Sequence, residues 1–389
     1  MNPWGILTGI RPVKIAAKLL KEGKSKNEVL EHFVNEYKTF PDRAELAYYL
    51  AEVEKKAEED MYKNGVSLYV GIPFCPTRCL YCSFVSNSIK NSGKYVDEYL
   101  ECLVKEIEYT SKILKEKNKK VETVYIGGGT PTTLEPDQLD RLFYALFEHF
   151  DLSGNKEFTV EAGRPDTITK EKLETIKRYN IERISINPQT MNEKTLKVIG
   201  RAHKPEDILK AFEIAKQCGI KNVNMDVIAG LPGESTEDFC KTLFEVEKLS
   251  PENTTVHTMS IKRSSRLNEK LEEYKLSEGG EVSDMVEFSK KFLGEKGKKP
   301  YYLYRQKNML GNLENIGYAK QGTESLYNIY IMEEIQSIIS MGCGGVTKTV
   351  DKQTDRIERI FNVKEPKEYI ERFDEMLKRK DALKNELIF

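Results

Sequence analysis

Tyr69-Val-Gly-Ile-Pro-Phe-Cys75-Pro-Thr-Arg-Cys79-Leu-Tyr-Cys82 places three cysteines in one loop, with three and then two residues between them, straight after the apolar run Leu68–Ile72. Three thiolates are one short of the four that close an iron–sulfur or structural zinc site, so a metal centre held here keeps one position open for an outside ligand. The competing reading is a trio of buried apolar cysteines. Pro76, Thr77 and Arg78 inside the run argue for an exposed loop instead.

Outward from that loop, short apolar runs alternate with longer amphipathic ones. The strands expected are Leu68–Ile72, Thr123–Ile126, Glu157–Glu161, Arg183–Asn187, Asn222–Ile228 and Thr254–Ile261. The helices expected between them are Lys94–Lys117, Pro136–Phe150, Lys170–Tyr179, Pro205–Cys218 and Thr236–Lys248. Repeated strand–helix units predict parallel pairing with right-handed crossovers. Six units are too few to close an eight-fold barrel, so the fold class expected is α/β, a partial (β/α)6 barrel, with a doubly wound sheet as the alternative. In both, ligands sit beyond the carboxyl ends of the strands.

Residues 1–64 read as an N-terminal helical segment, with amphipathic stretches at Arg11–Lys21, Lys26–Tyr37 and Arg43–Met61. The barrel is expected over 65–262. Residues 263–389 form a mixed α/β accessory domain with helical stretches at Asn268–Lys275 and Val282–Gly294 and a strand-like Tyr301–Tyr304. The apolar segments Asn328–Met332 and Ile335–Met341 then lead to Gly342-Cys-Gly-Gly345, and a charged amphipathic helix runs from Pro366 to Phe389.

With 389 residues, 39% hydrophobic and 32% charged, the chain has the balance of a soluble globular protein. A net charge of −1 provides no general field for nucleic acid. The absence of any long apolar run predicts no membrane span, and the start of the chain lacks the layout of a secretory signal. Seven cysteines, three of them in one loop, fit a reducing, cytoplasmic setting better than a disulfide framework. Cys102, Cys218 and Cys240 read as core residues on helix faces.

Gly127-Gly-Gly-Thr-Pro131 follows the second strand. Consecutive glycines let the backbone approach a ligand and offer amides to a carboxylate. Glu161, Gln189 and Asp226 fall at the ends of the next strands, where an unpartnered polar group costs several kcal/mol; three in succession favour a ligand site over separate core hydrogen bonds. Arg201 lies within reach of a carboxylate.

Together, Tyr69–Cys82, Ser83-Phe84, Gly127–Pro131, Gln189, Arg201 and Asp226-Val-Ile-Ala-Gly-Leu-Pro-Gly233 resemble the radical S-adenosylmethionine (SAM) oxygen-independent coproporphyrinogen III oxidase family, most closely its HemZ-type branch. The resemblance covers about residues 66–262, and more loosely 301–348. It implies a [4Fe–4S] cluster on Cys75, Cys79 and Cys82, with SAM on the open iron. Tyr69, Tyr81, Gly128 and Glu161 resemble residues that hold that SAM. Gly129, Thr130, Gln189, Arg201 and Asp226 resemble those of a neighbouring pocket for a second SAM or the substrate, so Tyr69, Gln189, Arg201 and Asp226 are the catalytic candidates. The activity implied is oxidative decarboxylation of propionates to vinyl groups on a porphyrinogen, with a reductant such as flavodoxin or ferredoxin. Arg164 and Arg201, and in the C-terminal part Tyr301, Arg305 and Lys307, are candidate walls for a tetrapyrrole and its propionates. The chain departs from the oxidases at Gly71, where they carry a histidine, and at Phe84, where many carry a cysteine. Other activities consistent with the resemblance are radical chemistry on heme or another macrocycle, and heme binding by a non-enzymatic chaperone. A zinc hydrolase is disfavoured by the thiolate loop and by only four histidines.

Overall fold

Gly65–Ile72 forms strand β1, with Leu68, Val70 and Ile72 fully buried on one face. Such near-continuous apolar strands suit a parallel sheet covered on both sides. The computed structural model describes residues 2–7, 11–83, 87–351, 354 and 356–387. Next to β1 stand β2 (Lys120–Gly128), β3 (Glu157–Glu161), β4 (Arg183–Ser185), β5 (Asn222–Ala229) and β6 (Asn253–Thr258), all parallel and in chain order. The helices between them include α4 (Val96–Glu116), α5 (Pro136–His149), α6 (Lys170–Arg178), α7 (Glu193–Val198), α8 (Pro205–Gln217) and α9 (Thr236–Lys248), after α1 (Pro12–Lys21), α2 (Lys26–Tyr37) and α3 (Pro41–Glu59) of the N-terminal part. This is the partial (β/α)6 barrel expected. Start signals are local: Ser25 with Glu28, and Ser235 with Asp238, form reciprocal capping boxes at α2 and α9, while proline opens α1, α3, α5 and α8.

The sheet continues past both edges of the six. After α10 (Gly279–Glu295), strands β7 (Lys299–Tyr304) and β8 (Asn315–Ala319) add antiparallel beyond β6. After α11 (Leu326–Glu333), β9 (Ile338–Met341) returns to pair parallel with β1, and the hairpin β10 (Val346–Asp351) and β11 (Arg356–Phe361) follows it. The order is β11-β10-β9-β1-β2-β3-β4-β5-β6-β8-β7, an open eleven-stranded sheet whose ends do not pair. Two C-terminal expectations need correction, the helix at 268–275 and the single terminal helix, while the apolar segments before Gly342 acquire definite structure. The stretch 268–275 holds only short turns of helix, Arg266–Glu269 and Leu271–Glu273. Of the two apolar segments before Gly342, the first is a helix and the second a strand. The single terminal helix is three, α12 (Pro366–Glu371), α13 (Phe373–Lys380) and α14 (Leu383–Glu386), with Arg372 leaving helical geometry at the first break so that Tyr369, Met376 and Leu383 can all be buried.

One apolar cluster runs from Trp4 through the barrel strands to Leu387. Buried polar links tie the flanks to it. Trp4 Nε1 donates to Glu314 at 2.7 Å, Arg43 reaches the same carboxylate at 2.9 Å, and Lys298 pairs with Glu247 at 2.6 Å.

Where α3 meets the end of α11, Glu54 and Glu333 are both buried, each with a carboxylate oxygen that has no hydrogen-bond partner among the described residues. Burial, and then the charge of Glu54, push Glu333 up to about 8; burial pushes Glu54 up to about 7. Both acids hold protons more tightly folded than unfolded, so their contribution to stability is fullest below about pH 4.5 and is lost as pH rises through 7 to 8. Glu333→Gln is therefore expected to be more stable than the parent by about 1–3 kcal/mol near pH 9, the difference closing near pH 4. Urea unfolding at the two pH values checks this; equal differences at both would contradict it.

Candidate active site

The cysteine loop leaves the carboxyl end of β1, and Phe74–Cys75 pairs briefly with Asn87–Ser88. Its backbone is stitched to the opposite side of the barrel mouth, with Leu80 N donating to Ile199 O at 3.0 Å and Leu267 N to Leu80 O at 2.9 Å. Two buried guanidiniums flank it. Arg164 forms a two-pronged pair with Asp166 at 3.0 Å and donates to Thr77 Oγ1 at 3.1 Å, with Nη1 3.9 Å from Cys79 Sγ. Arg201 donates to Gly163 O at 3.2 Å, Asn187 O at 2.5 Å and Tyr81 OH at 3.4 Å. Positive charge thus stands where metal-ligating thiolates would need it. Both arginines, read from sequence as partners for propionates, brace the loop itself. Phe84 lies outside the described residues.

The glycine turn at the end of β2 packs directly on this loop. Gly129 N donates to Ile72 O and Thr130 N to Phe74 O, each at 2.7 Å, and Thr130 Oγ1 lies 3.3 Å from Cys75 Sγ. A Cβ on Gly129 would stand 2.5 Å from Phe74 O and 3.0 Å from Cys75 Sγ, so the approach tolerates no side chain. Those two amides, expected to face a ligand carboxylate, are spent on the cysteine strand. What the turn offers a ligand is a glycine-thin surface beside the Thr130 hydroxyl.

Along the same rim, Glu161 ends β3 and accepts a short hydrogen bond from Tyr125 OH. Burial pushes its pKa up to about 7, with the nearby Asp226 charge working in the same direction against the Tyr125 bond. Asp226 on β5 behaves oppositely. Burial alone would raise it, yet His257 on β6, 3.5 Å away, and bonds from Asn224 and Thr255 hold it below the usual carboxylate range. Gln189 is buried at φ +65°, in the left-handed region, its backbone clipped to β5 by Gln189 N to Asp226 O at 2.9 Å and Ile228 N to Gln189 O at 3.0 Å. Strain of this kind in a residue other than glycine collects at functional sites. Gln189 Oε1, Asn187 Oδ1 and Arg201 Nε are buried without hydrogen-bond partners among the described residues. At His203, burial, and then Arg201, push the imidazole down to about 4, leaving it neutral.

Sequence reasoning missed a tyrosine stack beside this rim. Tyr69 and Tyr125 are register neighbours on β1 and β2 with ring centroids 6.3 Å apart, and Tyr327 from α11 stacks on Tyr125 at 4.4 Å. Tyr125 was findable, since it stands two residues before Gly127 and faces the same side as Tyr69; Tyr327 carries no local signal. Arg305, expected on a pocket wall, is buried elsewhere, donating to Leu7 O at 2.8 Å and Asn312 O at 2.9 Å and lying over the Trp4 ring.

Among the described residues no three His, Cys, Asp or Glu side chains gather around one point as a mononuclear zinc site needs. A loop whose only soft donors are three thiols, braced by arginines and capped by a turn with no room for a Cβ, fits a multi-iron cluster bound at its corners.

The sequence profile of the Radical SAM superfamily matches residues 69–246. The oxygen-independent coproporphyrinogen-III oxidase-like protein HemZ of Bacillus subtilis (strain 168) is 46% identical over 374 residues, 95% of this chain and 75% of that protein. The heme chaperone HemW of the same organism is 35% identical over 196 residues, half of each chain. Among solved structures, coproporphyrinogen III oxidase (HemN) from Escherichia coli, a radical SAM enzyme, superposes with a TM-score of 0.65 at 23% identity, over 85% of this chain and 73% of that one, and so shares the fold. The chain therefore belongs to the radical SAM family of oxygen-independent coproporphyrinogen-III-oxidase-like proteins, in its HemZ-type branch, with the [4Fe–4S] cluster and S-adenosylmethionine of that chemistry as its cofactors.

Proposed function

We propose that this chain is a radical SAM oxidoreductase that converts propionate side chains of a porphyrinogen to vinyl groups with loss of carbon dioxide. The observation that carries the reading is the seating of Gly129 and Thr130 against Cys75, with Glu161, Gln189 and Asp226 on the same rim. Cys75, Cys79 and Cys82 would hold the cluster, which with bound SAM would supply the hydrogen-abstracting oxidant. Glu161, as carboxylate, would accept from the amino group of SAM, and Tyr69, Tyr81 and Gly128 would shape the space around it. Gln189, Arg201 and Asp226, with Gly129 and Thr130, line the adjoining space, where Asp226 with His257 holds a proton at the imidazole Nε2. The tyrosine stack and Arg201 exclude water from the reacting side chain. Electrons come from a small reductant protein such as flavodoxin or ferredoxin.

A second reading, heme handling without turnover, is favoured by one feature. The place a side chain would take at Gly71 is filled, since a Cβ there would stand 2.9 Å from Cys343 O, so residue 71 contributes no proton donor beside the cluster.

Anaerobic incubation of the reconstituted protein with SAM, a strong reductant and coproporphyrinogen III separates the two. Deoxyadenosine formed together with porphyrin that has lost carbon dioxide supports the oxidase. Stoichiometric heme binding, with porphyrinogen returned unchanged, supports the second reading. Cys75→Ala, Cys79→Ala and Cys82→Ala are expected to lose the cluster's iron while Cys102→Ala keeps it, read by iron analysis; normal iron in any of the first three sinks the assignment. Because Glu161 titrates at about 7, SAM affinity is expected to rise as pH goes up through that value and then level off. Glu161→Gln should bind more weakly and flatten the profile, and an unchanged profile in that variant would remove Glu161 from the site.

A further inference from the structure

At the rim opposite the cysteine loop, four cations converge on one carboxylate. Glu334 follows α11 and precedes β9, whose first residue, Ile338, lies level with Ser67 near the start of β1. Its side chain is 7% exposed and its backbone sits at φ +55°. Arg11 reaches it at 2.6 Å, Lys14 at 2.8 Å, Lys348 at 3.4 Å and Arg359 at 3.6 Å, from the approach to α1, from α1 itself and from both strands of the β10–β11 hairpin. One carboxylate cannot neutralise four cations. The surplus registers at Lys348, which burial first, and Arg11 and Arg359 further, push below the ordinary lysine value despite Glu334.

Arg11, Lys14, Arg359 and Glu334, though not Lys348, line an open cleft of about 820 Å³ between α1, α2 and the hairpin. Lys18 adds a fourth cation to the lining beside Arg11, Lys14 and Arg359, against two carboxylates, Glu334 and Glu22. An isolated structural ion pair needs neither the surplus charge nor the space. The cleft has room for a molecule far larger than one ion, walled by donors that favour multiply charged oxyanions.

We propose that this cleft is a binding site for a small multivalent oxyanion, a polyphosphate or polycarboxylate, which bridges α1 to the β10–β11 hairpin around the Glu334 carboxylate. It is separate from the cluster site and independent of the porphyrinogen reading. Lys18 and Arg359 are the outer contacts, with side chains 79% and 45% exposed, so replacing them leaves the core intact.

The test is calorimetric titration of the full-length reconstituted protein with inorganic pyrophosphate and, separately, citrate, at low and high salt. Binding of at least one is expected at low salt, weakening with salt, and the Lys18→Ser/Arg359→Ser protein should bind about tenfold or more weakly. Lys241→Glu, an exposed charge reversal on α9, should bind as the parent does. Preference for pyrophosphate or citrate identifies which oxyanion class the cleft takes. No binding of either by the parent, undiminished binding by the double variant, or an equal loss in Lys241→Glu would overturn the proposal.

Discussion

Backbone lies against backbone where no Cβ fits, and the site rests on that constraint. Gly71 at the end of β1, Gly128 at the end of β2 and Gly129 beyond it each face backbone atoms within about 3 Å of where a side chain would begin. The contact is made in register, since Gly71 pairs with Gly127 and Ile72 with Gly128. It is also clamped from behind. The fully buried Glu106 of α4 accepts from Gly342 N and Asn362 Nδ2, each at 2.8 Å, and from Tyr369, with Lys380 at 3.2 Å, and this pins the Gly342–Gly345 turn above Gly71. A buried carboxylate so fully satisfied costs little while intact and much if one partner is removed. The C-terminal strands and helices thus hold the cysteine strand as well as extending the sheet.

Two acids on one rim are driven in opposite directions by their surroundings. Glu161, stripped of water by burial and beside a neighbouring acid, stays protonated to about pH 7 in spite of its tyrosine donor, whereas Asp226, with an imidazole, an amide and a hydroxyl around it, stays ionised. A ligand bringing positive charge to the rim therefore meets one fixed anion and one that its own charge would ionise. Divergent environments for paired carboxyl groups are how one scaffold separates acid and base duties.

The parallel repeat and the cysteine loop were legible because their signals are local: apolar runs of strand length, proline and serine starts, three thiols in one turn. The hairpin of β10 and β11 was not, although Thr347 and Thr349 alternate inward, because threonines among lysines lack the apolar contrast that marks a strand. The terminal helix breaks where no glycine or proline announces it, and packing of Tyr369 and Met376 decides. Glu161, Gln189 and Asp226 were legible as unusual residues at strand ends and Arg201 as a nearby cation, but their partners were not. Tyr125, Tyr327 and His257 come from other segments, and only the curvature of the sheet brings them there. Arg305 shows the converse, a residue of suggestive type whose donors the N-terminal segment has already taken.

Gly71 links this site's chemistry to the far end of the chain. A histidine at that position would have to displace the carbonyl of Cys343, and that turn is fixed by Glu106, by Tyr99 through Cys343 N at 2.9 Å, and by Asn362. The departure from the oxidases is therefore no isolated substitution, because the C-terminal turn occupies the space that the missing side chain would use. Restoring the histidine alone would strain the clamp before it supplied a proton. His257, partly exposed and 3.5 Å from Asp226, stands across the open barrel from β1 and presents an imidazole to the rim from a direction that the C-terminal turn leaves clear.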